Sequence, residues 1–208
     1  PDVGGSYLLA RAPGRLGVYL GTCAARMGPA DAILAGFADV FVAQADWPAL
    51  IARLCRCDGE DAVAAALRPV AAPPPAGRLA PLRPEIDRLF GGADLRAIWR
   101  ALAEDTPFAA AARAELAAVS PLSAACTVAM LRRLGPLPEL STALRQEYRF
   151  AHRAQEHADF LEGIRAVVID KDRTPRWRHP SPDAVTEAEV AAMLAPLGDQ
   201  EWTGEEAP

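Results

Sequence analysis

Lysine is nearly missing from this chain of 208 residues. Of 22 strongly basic residues, Lys171 alone is lysine and the other 21 (22 − 1) are arginine. Arginine presents a planar fork and lysine a compact point charge, so a single lysine in an arginine-rich chain marks position 171 for a contact that needs an ammonium, such as a phosphate or an adenine. The plain alternative is one codon that escaped a biased composition. Histidine is almost as scarce. His152, His157 and His179 are the three, and none lies four residues from another, which excludes a helical pair of metal ligands at that spacing. The four cysteines, Cys23, Cys55, Cys57 and Cys126, form no Cys-x-x-Cys pair and match no familiar zinc spacing. The expectation is no metal site, and free, mostly buried thiols in a reducing compartment. Positive charge is outnumbered by negative, 22 against 27 for a net −5, which argues against a general nucleic-acid surface. No apolar run reaches the ~18 residues that a membrane span needs, and the first residues carry neither the basic nor the apolar region of a signal peptide. The expectation is a cytoplasmic chain by its bacterial-like composition, mitochondrial if its source is eukaryotic, with neither membrane nor nucleic acid as partner.

What is present is a core-forming composition, 51% hydrophobic and 24% charged, enough for one domain or a domain with an appendage. Pro1-Asp2-Val3-Gly4-Gly5-Ser6-Tyr7 reads as a turn feeding a helix, with Asp2 placed to cap it. Leu16, Val18, Tyr19 and Leu20 predict a second helix. Gly28-Pro29 starts a third that Gly36 stops, and Phe37 to Val42 predicts a strand. Helices are predicted from Trp47 to Leu54 and from Asp61 to Leu67. Arg68 to Pro84, with Pro73-Pro74-Pro75 at its centre, predicts an extended exposed connector, which is short for a docking motif read by a Pro-binding domain. A helix restarts at Pro84 and stops at Gly91-Gly92. Asp94 caps the next, with Leu95, Ile98, Trp99 and Leu102 on one face. Thr106-Pro107 and Ser120-Pro121 pair an N-cap with a first-turn proline and predict helices over 107–118 and 121–134. In the second of these Leu122, Ala125, Cys126, Ala129 and Met130 form the buried face, so Cys126 is core rather than nucleophile. Leu137, Leu140, Leu144, Tyr148 and Ala151 make a further apolar stripe at helical spacing.

The stretch from Asp159 to Asp172 stands out. Asp159 and Glu162 have capping-box spacing, and Phe160, Ile164, Val167 and Val168 give an apolar stripe. Asp170-Lys171-Asp172 then breaks it, ahead of Pro175. Arg173, Arg176, Trp177, Arg178 and His179 form a basic, aromatic patch open to a stacking role, though short for one. Val185 to Val190 reads as a staple and capping box for a last helix to about Leu197, followed by a frayed tail.

Two of these stretches carry a resemblance. Glu-Gly-Ile-Arg-Ala-Val-Val-Ile-Asp-Lys-Asp-x-x-Pro-x-Trp, ending at Trp177, and the opening Pro-Asp-Val-Gly-Gly-Ser-Tyr resemble the 3-hydroxyisobutyryl-CoA hydrolases, a branch of the crotonase (enoyl-CoA hydratase/isomerase) superfamily. Ser120-Pro121-Leu122-Ser123 and Glu147-Tyr148-Arg149 fit the same pattern, with scaffold roles. Arg26, Ala32, Ala35 and Gly36 match it too, whereas Thr22-Cys23-Ala24 departs from its usual Leu-Thr-Gly.

The resemblance implies a mainly α chain with one short strand, the C-terminal part of an α/β crotonase-like fold lacking most of its β-spiral layer. It implies four blocks: residues 1–44 as the end of the crotonase core with the active-site turn, 45–105 as a variable helical and Pro-rich segment, 106–198 as a C-terminal helical region, and 199–208 as a tail. It implies hydrolysis of 3-hydroxyisobutyryl-CoA in valine breakdown. Asp2 would be the catalytic carboxylate touching the acyl group, Gly4 and Gly5 would shape the turn against the substrate, and Lys171 would contact coenzyme A. No cofactor is implied, since coenzyme A belongs to the substrate, and a homo-oligomer is among the partners it allows. The family's second acid, a Glu, and the Gly-rich segment forming its oxyanion hole stand upstream of where this chain begins, so the chain is expected to be an incomplete part of the enzyme.

Two other readings compete. An enoyl-CoA hydratase or isomerase shares the fold, but common hydratases of the superfamily place Gly where Asp2 stands. A helical interaction module without chemistry is the third. An apolar face left exposed where the sheet belongs would separate truncation from that last reading.

Overall fold

The structure, a computed structural model, describes residues 1–204, apart from the side chain of Glu60. In chain order the helices and strands are α1 (Gly5–Arg11), α2 (Leu16–Cys23), α3 (Pro29–Leu34), β1 (Phe41–Val42), α4 (Trp47–Leu54), α5 (Glu60–Leu67), β2 (Ala71–Ala72), α6 (Leu79–Leu89), α7 (Leu95–Ala101), α8 (Pro107–Ala118), α9 (Pro121–Leu134), α10 (Leu140–His157), α11 (Phe160–Ile164) and α12 (Glu187–Met193). A π-helical turn, Arg165–Ile169, continues α11. The chain divides into two compact units, Pro1–Arg26 with Leu82–Pro208, and Met27–Pro81. The division cuts across the expected blocks 1–44, 45–105 and 106–198. The reason is tertiary: α1 and α2, first in the chain, pack on α9 more than a hundred residues later.

In the larger unit α9 is the central helix. Ser120 accepts from the Ser123 N–H at 3.2 Å and Pro121 sits in the first turn, as the spacing predicts. Its sides are buried almost all round, Leu122, Ala125, Cys126, Val128 and Met130 included. A helix apolar on every side belongs inside a core, and α1, α2, α7, α8, α10 and α12 pack on it. α8 is capped in the same way, Thr106 accepting from the Ala109 N–H, and Asp94 caps α7 through Ala97 at 2.7 Å. Gly17 lets α2 approach α1 directly, since a Cβ there would stand 1.8 Å from the Leu9 carbonyl oxygen. Phe90 is completely buried, edge-on to Tyr19 with ring centroids 5.2 Å apart.

In the smaller unit β1 pairs antiparallel with β2, Phe41 opposite Ala72 and Val42 opposite Ala71. The described residues thus hold two short strands, not one. The first is two residues long rather than six, and the second lies inside the stretch expected to be a free connector. α6 begins at Leu79, five residues before the expected restart. The Asp31 carboxylate on α3 accepts from the N–H groups of Leu79 at 2.9 Å and Arg78 at 3.3 Å. That remote cap satisfies donors which otherwise oppose starting a helix beside two prolines.

The largest correction concerns α10. The expected stripe faces outward: Leu137 is 88% exposed, and Leu140, Tyr148 and Ala151 are exposed with it. The buried side is Ala143, Gln146, Glu147 and Ala154, which has the same helical period built from small and polar residues. The stripe of α11 is likewise exposed, Phe160, Val167 and Val168 included. Asp159 and Glu162 form no capping box; both carboxylates are engaged elsewhere. The box Thr186–Glu189 does form, and α12 ends at Met193 rather than near Leu197. No single described helix is long and apolar enough to cross a membrane.

Candidate active site

The turn Asp2 to Ser6 folds from two local choices and one remote one. Val3 and Gly4 take positive φ, +47° and +88°. Glycine adopts this readily, whereas a β-branched residue does so only under constraint. The Asp2 carbonyl then accepts from the Gly5 N–H at 2.7 Å, and α1 starts. The Asp2 side chain is exposed and does not cap α1. The cap comes from α10. Glu147 accepts from Gly4 N–H through Oε2 at 2.7 Å and from Ser6 N–H through Oε1 at 2.6 Å. Glu147, Gly4 and Ser6 are all buried. The carboxylate thus sits at the positive end of α1, and the amides of Gly4, Gly5 and Ser6 are all occupied within the fold. A Cβ added at Gly4 would stand 3.4 Å from Leu140 Cδ1, so Leu140 flanks the turn.

Lys171 is carried by a different device. It is exposed, at φ +57°, and follows the π-helical turn, a local geometry that often marks functional positions. Arg165 organises its surroundings. The guanidinium donates to Glu162 at 2.9 and 2.7 Å, to Asp170 and Asp172 at 2.7 Å each, and to the Thr174 carbonyl at 3.2 Å. The Glu162 carboxyl is held down at about 2, first by Arg165 and then by the N–H of Arg176. Both residues flanking Lys171 are therefore pinned by one arginine. The Lys171 ammonium has no hydrogen bond or ion pair among the described residues, and none links it to the Asp2–Ser6 turn. The structure brings Asp2, Gly4 and Gly5 together and leaves Lys171 on a separate element.

The basic, aromatic patch is largely engaged. Trp177 donates its indole N–H to the Ala118 carbonyl at 3.2 Å. His179 is buried and bonds Glu189 at 2.9 Å. The backbone N–H of Arg178 donates to Asp159 at 2.8 Å. A cavity of about 280 Å³ lies here, lined by Ser120, Phe150, Asp159, Phe160, Gly163 and Trp177 among others. Cys23 and Cys126 are buried thiols pushed up to about 12 by burial, which removes them as nucleophiles, while Cys55 is exposed. Among the described residues no three His, Cys, Asp or Glu side chains gather where they could hold a metal ion. Sequence reasoning gave Glu147 only a scaffold role and missed its hold on the turn. The available signal was the Ala143, Gln146, Glu147, Ala154 repeat on the face opposite the apolar stripe.

Residues 1–194 match the family model described as enoyl-CoA hydratase/isomerase. The chain belongs to that family. Among its solved relatives is a crystal structure of an enoyl-CoA hydratase from Rhodobacter sphaeroides 2.4.1, 56% identical with a TM-score of 0.84, the match covering 98% of this chain and 58% of that one. A carnitinyl-CoA dehydratase from Mycobacterium thermoresistibile is 39% identical with a TM-score of 0.88, covering 100% and 58%. The mitochondrial 3-hydroxyisobutyryl-CoA hydrolase of Xenopus tropicalis is 32% identical over 209 residues, covering 97% of this chain and 54% of the relative. The chain thus spans about half the length of the curated relatives it matches. The resemblance to the hydrolase branch of the crotonase superfamily, and to part of its fold, is borne out. Several of these relatives are named mitochondrial, and a cytoplasmic location finds no support in them.

Proposed function

We propose that this chain is part of an acyl-CoA thioester hydrolase that converts 3-hydroxyisobutyryl-CoA and water into 3-hydroxyisobutyrate and coenzyme A. The observation that carries the reading is the exposed Asp2 carboxylate on a strained, doubly left-handed turn, in a chain whose curated relatives include hydrolases of that name. Water adds to the thioester carbonyl, the carbon–sulfur bond breaks and the thiol leaves. Asp2 contacts the acyl group and handles the proton of the attacking water. Gly4 and Gly5 serve by shape, because their N–H groups are already bonded to Glu147 and to the Asp2 carbonyl. The donors that stabilise the carbonyl oxygen therefore belong to another segment. Lys171, held out by the Arg165 clamp, meets a phosphate of coenzyme A.

A second reading, hydration of an enoyl-CoA, is favoured by the names of the two solved relatives. Thiol release from 3-hydroxyisobutyryl-CoA and hydration of crotonyl-CoA, measured side by side on the full-length protein its gene encodes, separate the two. The first reading expects thiol release to dominate. It also expects Asp2→Asn to lower that release by at least about tenfold with folding intact, and Lys171→Ala to raise KM while kcat changes little. Near-normal turnover in Asp2→Asn would sink the reading, and hydration without thiol release would establish the second.

A further inference from the structure

Glu147 is a buried ionisable group that the proposed chemistry leaves without a task. It is 3% exposed, and no arginine or lysine pairs with it among the described residues. A carboxylate is removed from water only where hydrogen bonds replace its hydration, and here two short backbone donors do so, 2.7 Å from Gly4 and 2.6 Å from Ser6. Bonds of this length to a charged acceptor belong to the strong class. They straddle Gly5, whose own N–H is bonded back to the Asp2 carbonyl. Three consecutive amides are thereby fixed by two acceptors, one of them the backbone of Asp2 itself.

The strain is in the same place. Val3 is 92% exposed, so no packing of its side chain explains its φ of +47°. Positive φ at a β-branched residue persists only where the surroundings over-determine it. The Glu147 carboxylate, gripping the chain one residue after Val3 and again two residues further on, is that constraint. Glutamine in its place would turn an NH₂ group toward one of the two N–H donors and leave that donor unbonded.

Resting on the reading of Asp2 as the catalytic carboxylate, we propose that Glu147 is a positioning residue that locks the Asp2–Ser6 turn in its left-handed conformation and so aims the Asp2 carboxylate at the acyl thioester. A residue that merely capped α1 would contribute stability without setting turnover. The role predicted here is a loss in kcat out of proportion to any loss of stability, since a small misplacement of a reacting group costs rate steeply.

The test uses the full-length protein its gene encodes and the substrate 3-hydroxyisobutyryl-CoA. Glu147→Gln and Glu147→Asp are compared with Asp2→Asn and with Leu116→Ala, a fully buried core position on α8 that controls for stability. Steady-state kinetics, thermal midpoints and hydrogen exchange at the Gly4 and Ser6 amides are measured. The expected result is a fall in kcat of at least about tenfold for Glu147→Gln, with KM little changed, loss of protection at both amides, and a smaller fall for Glu147→Asp. Leu116→Ala, destabilised at least as much, should keep kcat near the parent value. Parent-like kcat in folded Glu147→Gln, or an equal fall in Leu116→Ala, overturns the proposal while leaving Asp2 standing. Should Glu147→Gln not fold, Glu147→Asp is judged by the same criteria. Normal turnover in Asp2→Asn removes the underlying reading, and the positioning role with it.

Discussion

At the scale of one residue, Cys126 shows what burial in an apolar core does to a thiol. Cys126 lies in the buried apolar face of α9, and that burial outweighs the lowering pull of the Arg133 charge, so the thiol is pushed up to about 12. Cys23 behaves alike for the same first cause. The reactive form of a thiol is the thiolate, and Cys55 is the one exposed cysteine of the four. A thiol reagent at pH 8 should therefore modify Cys55 quickly and reach Cys23 and Cys126 only on unfolding, as peptide mapping of the labelled chain would read. Early labelling of Cys126 would refute its place in the core. The burial of Cys126 was legible in the sequence, because its neighbours at helical spacing are apolar. The role of Glu147 was not, because its donors lie 143 and 141 residues away along the chain.

At the scale of elements, helix boundaries followed local chemistry where the caps were local. α8 and α9 begin and end where Thr106-Pro107 and Ser120-Pro121 place them, since each N-cap hydroxyl meets a donor three residues on. Where the cap was remote, as with Asp31 and the start of α6, the boundary moved. Facing was less legible than extent. α10 turns its leucines outward and a buried glutamate inward, and no periodicity argument anticipates a carboxylate as the inner side. Close approach has its own test. Gly17→Ala would place a methyl group against the Leu9 carbonyl, backbone rather than a movable side chain, so α1 and α2 must separate. The expected cost is about 1–3 kcal/mol, measurable as a lower denaturant midpoint with an unchanged slope. A neutral Gly17→Ala would show that the two helices do not meet as described.

For the whole molecule, two carboxylates set an acid limit. Glu162 is held at about 2 by the side chain of Arg165 and the N–H of Arg176, and Glu189 at about 2 by the backbone and hydroxyl of Thr186 and, less strongly, by His179. Each titrates near 4.5 when free. A carboxylate whose folded value is depressed stabilises the fold fully above its unfolded value, and that contribution is lost as pH falls toward the folded one. Stability should therefore decline between about pH 4.5 and 2, and Glu162→Gln with Glu189→Gln should flatten that decline, as urea midpoints across the range would record. An unaltered acid limb would mean that these bonds do not hold in solution. The larger unit also leaves apolar side chains open on α1, α10, α11 and the π-helical turn, Leu8, Leu140, Phe160 and Val167 among them, in a chain that spans about half the length of the curated relatives it matches.

By itself the sequence determined the family, through the Pro1–Tyr7 and Glu162–Trp177 signatures, and the positions of the capped helices, because both are written in short runs whose physics is local. It also singled out Lys171 by composition alone. Only the tertiary structure decided which side of α10 faces in, which acid holds the Asp2 turn, which pairing makes a strand of Ala71–Ala72, and that Arg165 pins both neighbours of Lys171. Most of these depend on groups brought together across long stretches of chain, and hydrogen bonds at that range leave no period or motif for a sequence to display.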